Sequence, residues 1–95
     1  GITCTTVTEK IANRYNIPKG VYIKQVTMDS PAFVSGLQSG DVIVAVNNTE
    51  VSNVSAYNTQ LMKQKPEDTC NLKVKRKGSN GYTEITCQVK IGVMN

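Results

Sequence analysis

The chain has 95 residues, of which 39% are hydrophobic, and carries a net charge of +4 with no tryptophan and one phenylalanine. One domain of this size buries roughly 60–65% of its unfolded surface, so Val, Ile and Leu must supply most of the core. No apolar run approaches the roughly 20 residues that a membrane helix needs, and we expect no direct membrane insertion. Because the chain begins at Gly1, we interpret residues 1–95 as a single domain excised from a longer chain.

Two strands and a helix are predicted in the N-terminal part. Residues 1–5 (GITCT) are small or β-branched and favour a short strand. A helix is predicted over 7–17, because apolar residues recur at helical spacing in Val7, Ile11 and Tyr15. Residues 20–26 (GVYIKQV) are predicted to form the second strand.

The centre of the chain has the pattern of a short helix followed by a buried strand. Asp29 or Ser30 is a suitable N-cap for a helix whose first position is Pro31. Gly36 fits the left-handed position that ends such a helix. The nearly continuous apolar run at 42–47 (VIVAVN) predicts a strand buried on both faces.

The C-terminal half is predicted to hold a second amphipathic helix and a hairpin. Residues 47–51 make a tight turn and a short strand, and a helix follows over 53–65, ending near Pro66. Strands at 69–77 and 82–91 are joined by the turn sequence GSNG.

The positive charge does not indicate a nucleic-acid partner. Four cations are concentrated in KVKRKG at 73–78, where Lys73, Lys75 and Lys77 alternate onto the outward face of a strand. Nucleic-acid sites of this kind need aromatic stacking platforms, and none accompanies these lysines. We expect a solvated strand face.

The three cysteines and the lack of histidine limit the chemistry. Cys4, Cys70 and Cys87 have no CxxC spacing, so no metal site or cofactor is predicted. Cys70 and Cys87 fall in phase with inward apolar residues, which favours buried thiols but leaves a Cys70–Cys87 disulfide open. Ser–His–Asp and Cys–His catalysis are excluded without histidine. Asp41 is predicted to stabilise the turn at SGD.

The order of elements, together with residues 20–51 (GVYIKQVTMDSPAFVSGLQSGDVIVAVNNTEV), resembles a PDZ domain. The resemblance rests on Ser-Pro-Ala, small-Gly-Leu, Gly-Asp and Val-Asn, with Asn48 where glycine is usual. It implies an α+β fold, a small partly open β-barrel or sandwich of five to six strands capped by two helices. The strand order is the permuted bacterial one, and the chain is most similar to PDZ domains of HtrA/Deg-type trypsin-like serine proteases.

This resemblance implies that a C-terminal or unfolded peptide segment is bound by strand addition. The peptide would pair with the edge strand at 2–5, with its carboxylate in a nest of backbone N–H groups at Gly1 and Ile2. The strand period directs Ile2 and Cys4 into the groove and Thr3 and Thr5 away from it. The predicted peptide-binding residues are Gly1, Ile2, Thr3, Cys4, Thr5, Val54, Asn58 and Leu61, whereas Tyr57 is predicted to pack in the core.

The expected ligand has an apolar C-terminus. PDZ domains that select Ser or Thr two residues before the terminus carry a histidine where Val54 stands, and this chain has none. The domain itself is then a non-catalytic recognition module of an extracytoplasmic serine protease. Such a parent is compatible with oligomerisation through its protease domain and with a membrane anchor. A PDZ module of another bacterial protease or secretion system, and a scaffold without a protease, remain the alternatives.

Overall fold

The computed structural model describes residues 2–28, 31–65 and 68–90, and it confirms the α+β class. Within these ranges three helices and six strands follow one another. Their bounds are β1 Ile2–Val7, α1 Glu9–Tyr15, β2 Gly20–Val26, α2 Pro31–Val34, β3 Val42–Val46, β4 Thr49–Glu50, α3 Val54–Met62, β5 Thr69–Gly78 and β6 Gly81–Lys90. None of these helices is long and apolar enough to cross a membrane.

The strands form one antiparallel sheet in the order β1-β2-β3-β5-β6, with β4 paired to β3. Within the described residues β1 and β6 are the two edges and do not pair with each other, so the sheet is open. A β-bulge lies between β1 and β2: Thr3 is opposite Gln25 and Cys4 opposite Ile23, which leaves Lys24 as an extra residue. The Ser39 hydroxyl donates to the Lys24 carbonyl at 2.8 Å.

The larger core lies on one face of the sheet. Alternate residues of each strand point into it, because successive side chains of a strand face opposite sides. α3 contributes Tyr57 to this core, and the loop after α2 contributes Leu37. The strand residues are Val21, Ile23, Ile43, Val46, Cys70, Leu72, Val74, Cys87 and Val89.

α1 packs on the opposite face, and here the sequence prediction was wrong in detail. Val7 belongs to β1, and the helix begins after Thr8, whose side chain accepts from the Ile11 N–H. Ala12 is the buried helix residue, whereas Ile11 and Tyr15 are 39% and 60% exposed. The spacing of the large apolar residues did not identify the buried face of the helix. The small residue Ala12 packs against Val7 and Val42 instead.

Backbone geometry at the turns agrees with the sequence. Gly36 has a φ of 96° and Asn48 a φ of 70°, both in the left-handed region. The hairpin turns at 79–80. α3 ends at Met62, earlier than the predicted residue 65. The predicted caps at Asp29 and Ser30 and the predicted stop at Pro66 lie outside the described residues, as do 91–95.

Candidate functional site

The surface between the free edge strand β1 and α3, which we call the β1–α3 groove, is apolar on both sides. Ile2 and Cys4 on β1 and Val54 and Leu61 on α3 are all half-buried and pack against the larger core. The structure therefore brings four of the predicted site residues together.

The other predicted site residues have different surroundings. Thr3 and Thr5 are exposed, as their phase on β1 requires. Asn58 is also exposed on α3. Gly1, the proposed start of the carboxylate nest, lies outside the described residues.

Tyr57 is a core residue, as the sequence predicted, and it is 7% exposed. Burial raises the pKa of its phenol above the usual range, with smaller contributions from Cys4 and Cys70. Tyr57 belongs to the core cluster against which Ile2, Cys4, Val54 and Leu61 pack.

Thr6 is a contact that the sequence reasoning missed. Its Oγ1 accepts a hydrogen bond from the Val54 N–H at 3.0 Å, which joins the end of β1 to the start of α3. Asn53 caps the same helix end locally, since its Oδ1 accepts from the Ala56 N–H at 2.7 Å. The sequence does contain a signal for this contact. Thr6 lies in the same phase of β1 as Ile2 and Cys4, on the inward face.

All three cysteines are free thiols. Cys70 and Cys87 are buried, which confirms the favoured interpretation, and they are not bonded to each other. In the hairpin Cys70 is opposite Val89 and Cys87 opposite Leu72, so the two cysteines are diagonal neighbours. Burial raises the pKa of each thiol, including that of the half-buried Cys4.

The corner at residues 36–41 is held by an ion pair between the buried Asp41 and the partly exposed Arg76. Arg76 Nε and Nη2 donate to the two carboxylate oxygens of Asp41 at 2.9 and 2.7 Å, and Nη2 also reaches the Gly36 carbonyl at 2.8 Å. Asp41 accepts from the Gln38 N–H at 3.0 Å, which confirms its predicted turn role. The hydrogen bond to Asp41 raises the pKa of the Arg76 guanidinium. The sequence contains a signal for this ion pair: Arg76 lies two residues after Val74, at an inward position of β5.

No other chemical centre is visible in the described ranges. They contain no group of three or more His, Cys, Asp or Glu side chains that could hold a metal ion. Two open pockets, of about 440 and 630 Å³, are lined by residues outside β1 and α3. Carboxylates are present in the larger one, Glu50 and Glu84, but lysines interleave with them.

The family model for the PDZ domain matches residues 1–87. The chain belongs to the PDZ family. Its similarity to a probable periplasmic DegP-like serine endoprotease of Hahella chejuensis is 33% identity over 94 residues, covering 97% of this chain and 19% of the relative. The Do-like serine protease HtrB of Bacillus subtilis is 41% identical over 69 residues, covering 72% of this chain and 15% of that protein. This PDZ chain thus spans less than a fifth of these relatives.

Solved PDZ-containing structures have the same fold. The HtrA3 PDZ domain bound to a phage-derived ligand, FGRWV, has a TM-score of 0.76 and 26% identity, covering 95% of this chain and 80% of that one. The HtrA-type protease AlgW with a decapeptide has a TM-score of 0.81 and 23% identity, covering 100% of this chain and 29% of that one. The resemblance to PDZ domains of HtrA-type proteases is confirmed.

Proposed function

We propose that this PDZ domain recognises peptides with apolar C-termini by strand addition, and that it is the regulatory and substrate-recognition module of an HtrA-like serine protease. The observation that carries the proposal is the β1–α3 groove, in which half-buried apolar side chains flank a strand edge that is unpaired among the described residues. An open edge presents unpaired backbone donors and acceptors to an incoming strand.

Each part of the groove has a separate role in binding. The backbone of 2–5 supplies main-chain hydrogen bonds, and the N–H groups at Gly1 and Ile2 receive the terminal carboxylate. Alternate peptide side chains enter the groove, where they meet Cys4, Leu61 and Val54. Asn58, one helical turn after Val54 on the same side of α3, would contact the peptide from the exposed rim of the groove.

The chemistry of the groove favours apolar ligand residues. No histidine is present to bond a ligand hydroxyl, and a buried hydroxyl without a partner costs free energy. The HtrA3 PDZ domain, a structural neighbour, binds FGRWV, which ends in valine. An apolar terminal residue suits the surface between Ile2 and Leu61.

The proposal assigns catalysis to the rest of the parent protein. Relatives of this chain are serine proteases of which it spans under a fifth, and those named periplasmic support an extracytoplasmic location. In such a parent the PDZ domain would select or sense substrates, while the protease domain would cleave them and provide any oligomer contacts.

The decisive test is titration with the free-acid peptide FGRWV and its C-terminal amide. We expect a dissociation constant on the order of micromolar for the free acid, because a short peptide must be ordered on binding. The amide should bind much more weakly. Equal binding of the two forms would eliminate the carboxylate nest.

Cys4 offers an internal probe of where the peptide lies. Peptide at ten times its dissociation constant should slow maleimide modification of Cys4 roughly tenfold, in proportion to the free fraction. Cys70 and Cys87, at 0% and 6% exposure, serve as buried controls in the same molecule. Unprotected Cys4 in the saturated complex would place the peptide elsewhere.

A further inference from the structure

The hydrogen bond between Thr6 and Val54 closes one end of the β1–α3 groove. It joins residues 48 positions apart, and its N–O distance of 3.0 Å is that of a well-formed bond. From this junction the groove runs along β1 towards Ile2 and along α3 towards Leu61. These paths measure about 13 Å along the strand and about 10 Å along the helix, so the groove holds about four extended residues.

The first turn of α3 has two distinct anchors. The Ala56 N–H is bound by Asn53, which moves with the helix, whereas the Val54 N–H is bound by a side chain of β1. In the parts of the chain that the structure describes, this is the side-chain hydrogen bond that links α3 to β1. At the other helix end, Lys63 and Gln64 donate to the helix's own carbonyls, so α3 is held to β1 at its start.

We propose that Thr6 is a positioning residue for the peptide groove, and that its bond to Val54 limits the size of the ligand side chain accepted there. This inference rests on the proposed function. A peptide whose carboxylate lies at Ile2 directs its last residue towards Leu61 and its third-from-last residue towards Val54, because strand side chains alternate. The surface between Cys4 and Val54, next to this bond, then contacts that third residue, and the bond sets how far Val54 lies from β1.

Breaking the bond between Thr6 and Val54 should weaken the preference for a small ligand side chain, while the groove itself remains. With the N–H of Val54 exposed to water, the start of α3 can move away from β1. A small ligand side chain then loses contacts and must order the helix on binding. A bulky side chain gains room, so the preference between them falls.

Two variants break the bond from opposite sides. Thr6→Val keeps the shape of the side chain and removes the acceptor, and Thr6→Ser restores it as the matched control. Val54→Pro removes the donor at the first helical position, where proline is favoured. The preceding residue, Asn53, has φ −156° and ψ 168°, the extended conformation that proline requires of its neighbour.

The measurement is the ratio of dissociation constants for the free-acid peptides FGWWV and FGAWV, which differ in the third-from-last residue. We expect the wild type and Thr6→Ser to prefer the alanine peptide. Thr6→Val and Val54→Pro should each reduce that preference by roughly two- to tenfold, the effect of one hydrogen bond. The double variant should lose no more than either single one, since both remove the same interaction.

Amide hydrogen exchange separates the possible failures. The Val54 amide should exchange roughly tenfold faster in Thr6→Val than in Thr6→Ser. Unchanged exchange would show that the bond does not form, and unchanged peptide preference with faster exchange would show that it does not position the groove. Either result overturns the inference. If Thr6→Val does not fold, Thr6→Ala, which also removes the acceptor and leaves the Val54 side chain in place, decides by the same ratio. Failure of the wild type to bind FGRWV, FGWWV and FGAWV overturns the proposed function itself.

Discussion

Arg76 and Thr6 both hold distant parts of the chain together, but with different chemistry. Arg76 brings a charge to a buried carboxylate, making three hydrogen bonds to the corner at 36–41. Thr6 makes one neutral bond to the half-buried start of α3. A buried carboxylate left without its cation is costly, whereas a single neutral bond contributes about 1 kcal/mol. The contacts at the corner should therefore be costly to lose, whereas the link between β1 and α3 should be broken at small cost.

The largest effect should follow from Arg76→Met. Asp41 is 1% exposed, and without its cation it keeps the Gln38 N–H as a described partner. We expect a loss of about 3 kcal/mol in the free energy of unfolding, measured by urea denaturation. Lys77→Met, the exposed neighbour on β5, should change it by less than about 0.5 kcal/mol. Similar losses in both variants would remove the distinction between corner and surface.

Leu61→Ala should have the next largest effect. Leu61 is half-buried against the core, so the loss should be about 2 kcal/mol, at the lower end for a buried leucine. Peptide affinity should fall as well, because the side chain lines the groove. A stability loss with unchanged FGRWV binding would place Leu61 in the core alone.

Val54→Asp is the matched comparison for Leu61→Ala. Val54 is half-buried at the first turn of α3, where an acidic side chain also suits the helix dipole. The variant should keep a melting curve close to that of the wild type while weakening FGRWV binding at least severalfold. Global unfolding of this variant, or undiminished binding, would contradict the groove assignment.

Gly36→Ala tests the backbone conformation of the corner and should change stability by less than Arg76→Met. A Cβ there meets nothing within 4 Å, but the φ of 96° is strained for any residue with a side chain. We expect a loss of about 1 kcal/mol. Gly78→Ala is the control, because its Cβ makes an ordinary contact of 3.6 Å and should be nearly neutral. Equal effects at both glycines would argue against strain at the corner.

The smallest effect should be a loss of stability in alkali. Burial raises the pKa of Cys70 and Cys87 above 9.0, so the unfolded chain loses these protons first as the pH rises. The unfolded state then binds fewer protons, so the thiol contribution to stability is fully present well below pH 9 and is lost as the pH rises through the pKa of the thiols. The free energy of unfolding, measured by urea denaturation, should therefore be lower at pH 10 than at pH 8. A Cys70→Ala/Cys87→Ala variant should show a shallower decline, and an identical slope would exclude the thiols as its source.

Much of the fold could be predicted because local chemistry and tertiary packing agree. Gly36 and Asn48 adopt the positive φ that their types permit, and the apolar run at 42–46 is the central strand buried on both faces. α1 could not be placed by its large apolar residues, since the close approach of the helix to the sheet selects the small Ala12. Periodicity identifies a helix face but not the distance at which it packs.

The candidate site was predictable in part. The phase of β1 correctly directs Ile2 and Cys4 inward, which needs only the strand period. The bonds of Thr6 and Arg76 connect residues 48 and 35 positions apart, and no local pattern pairs such residues. A polar residue at a strand position that faces the core indicates a hydrogen-bond partner, but only the three-dimensional structure shows which residue that partner is.

The bulge at Lys24 has a consequence for insertions and deletions. Ile23 and Val26 both face the larger core although they are three residues apart, and the extra residue between them makes this possible. Ile2 and Cys4, their partners on β1, thereby keep a strict alternation. Replacing the exposed Lys24 by another side chain should be tolerated. Deleting it would shift the register of β2 against β1 by one residue and turn Val26 out of the core. At this position the chain depends on the number of residues and not on their identity.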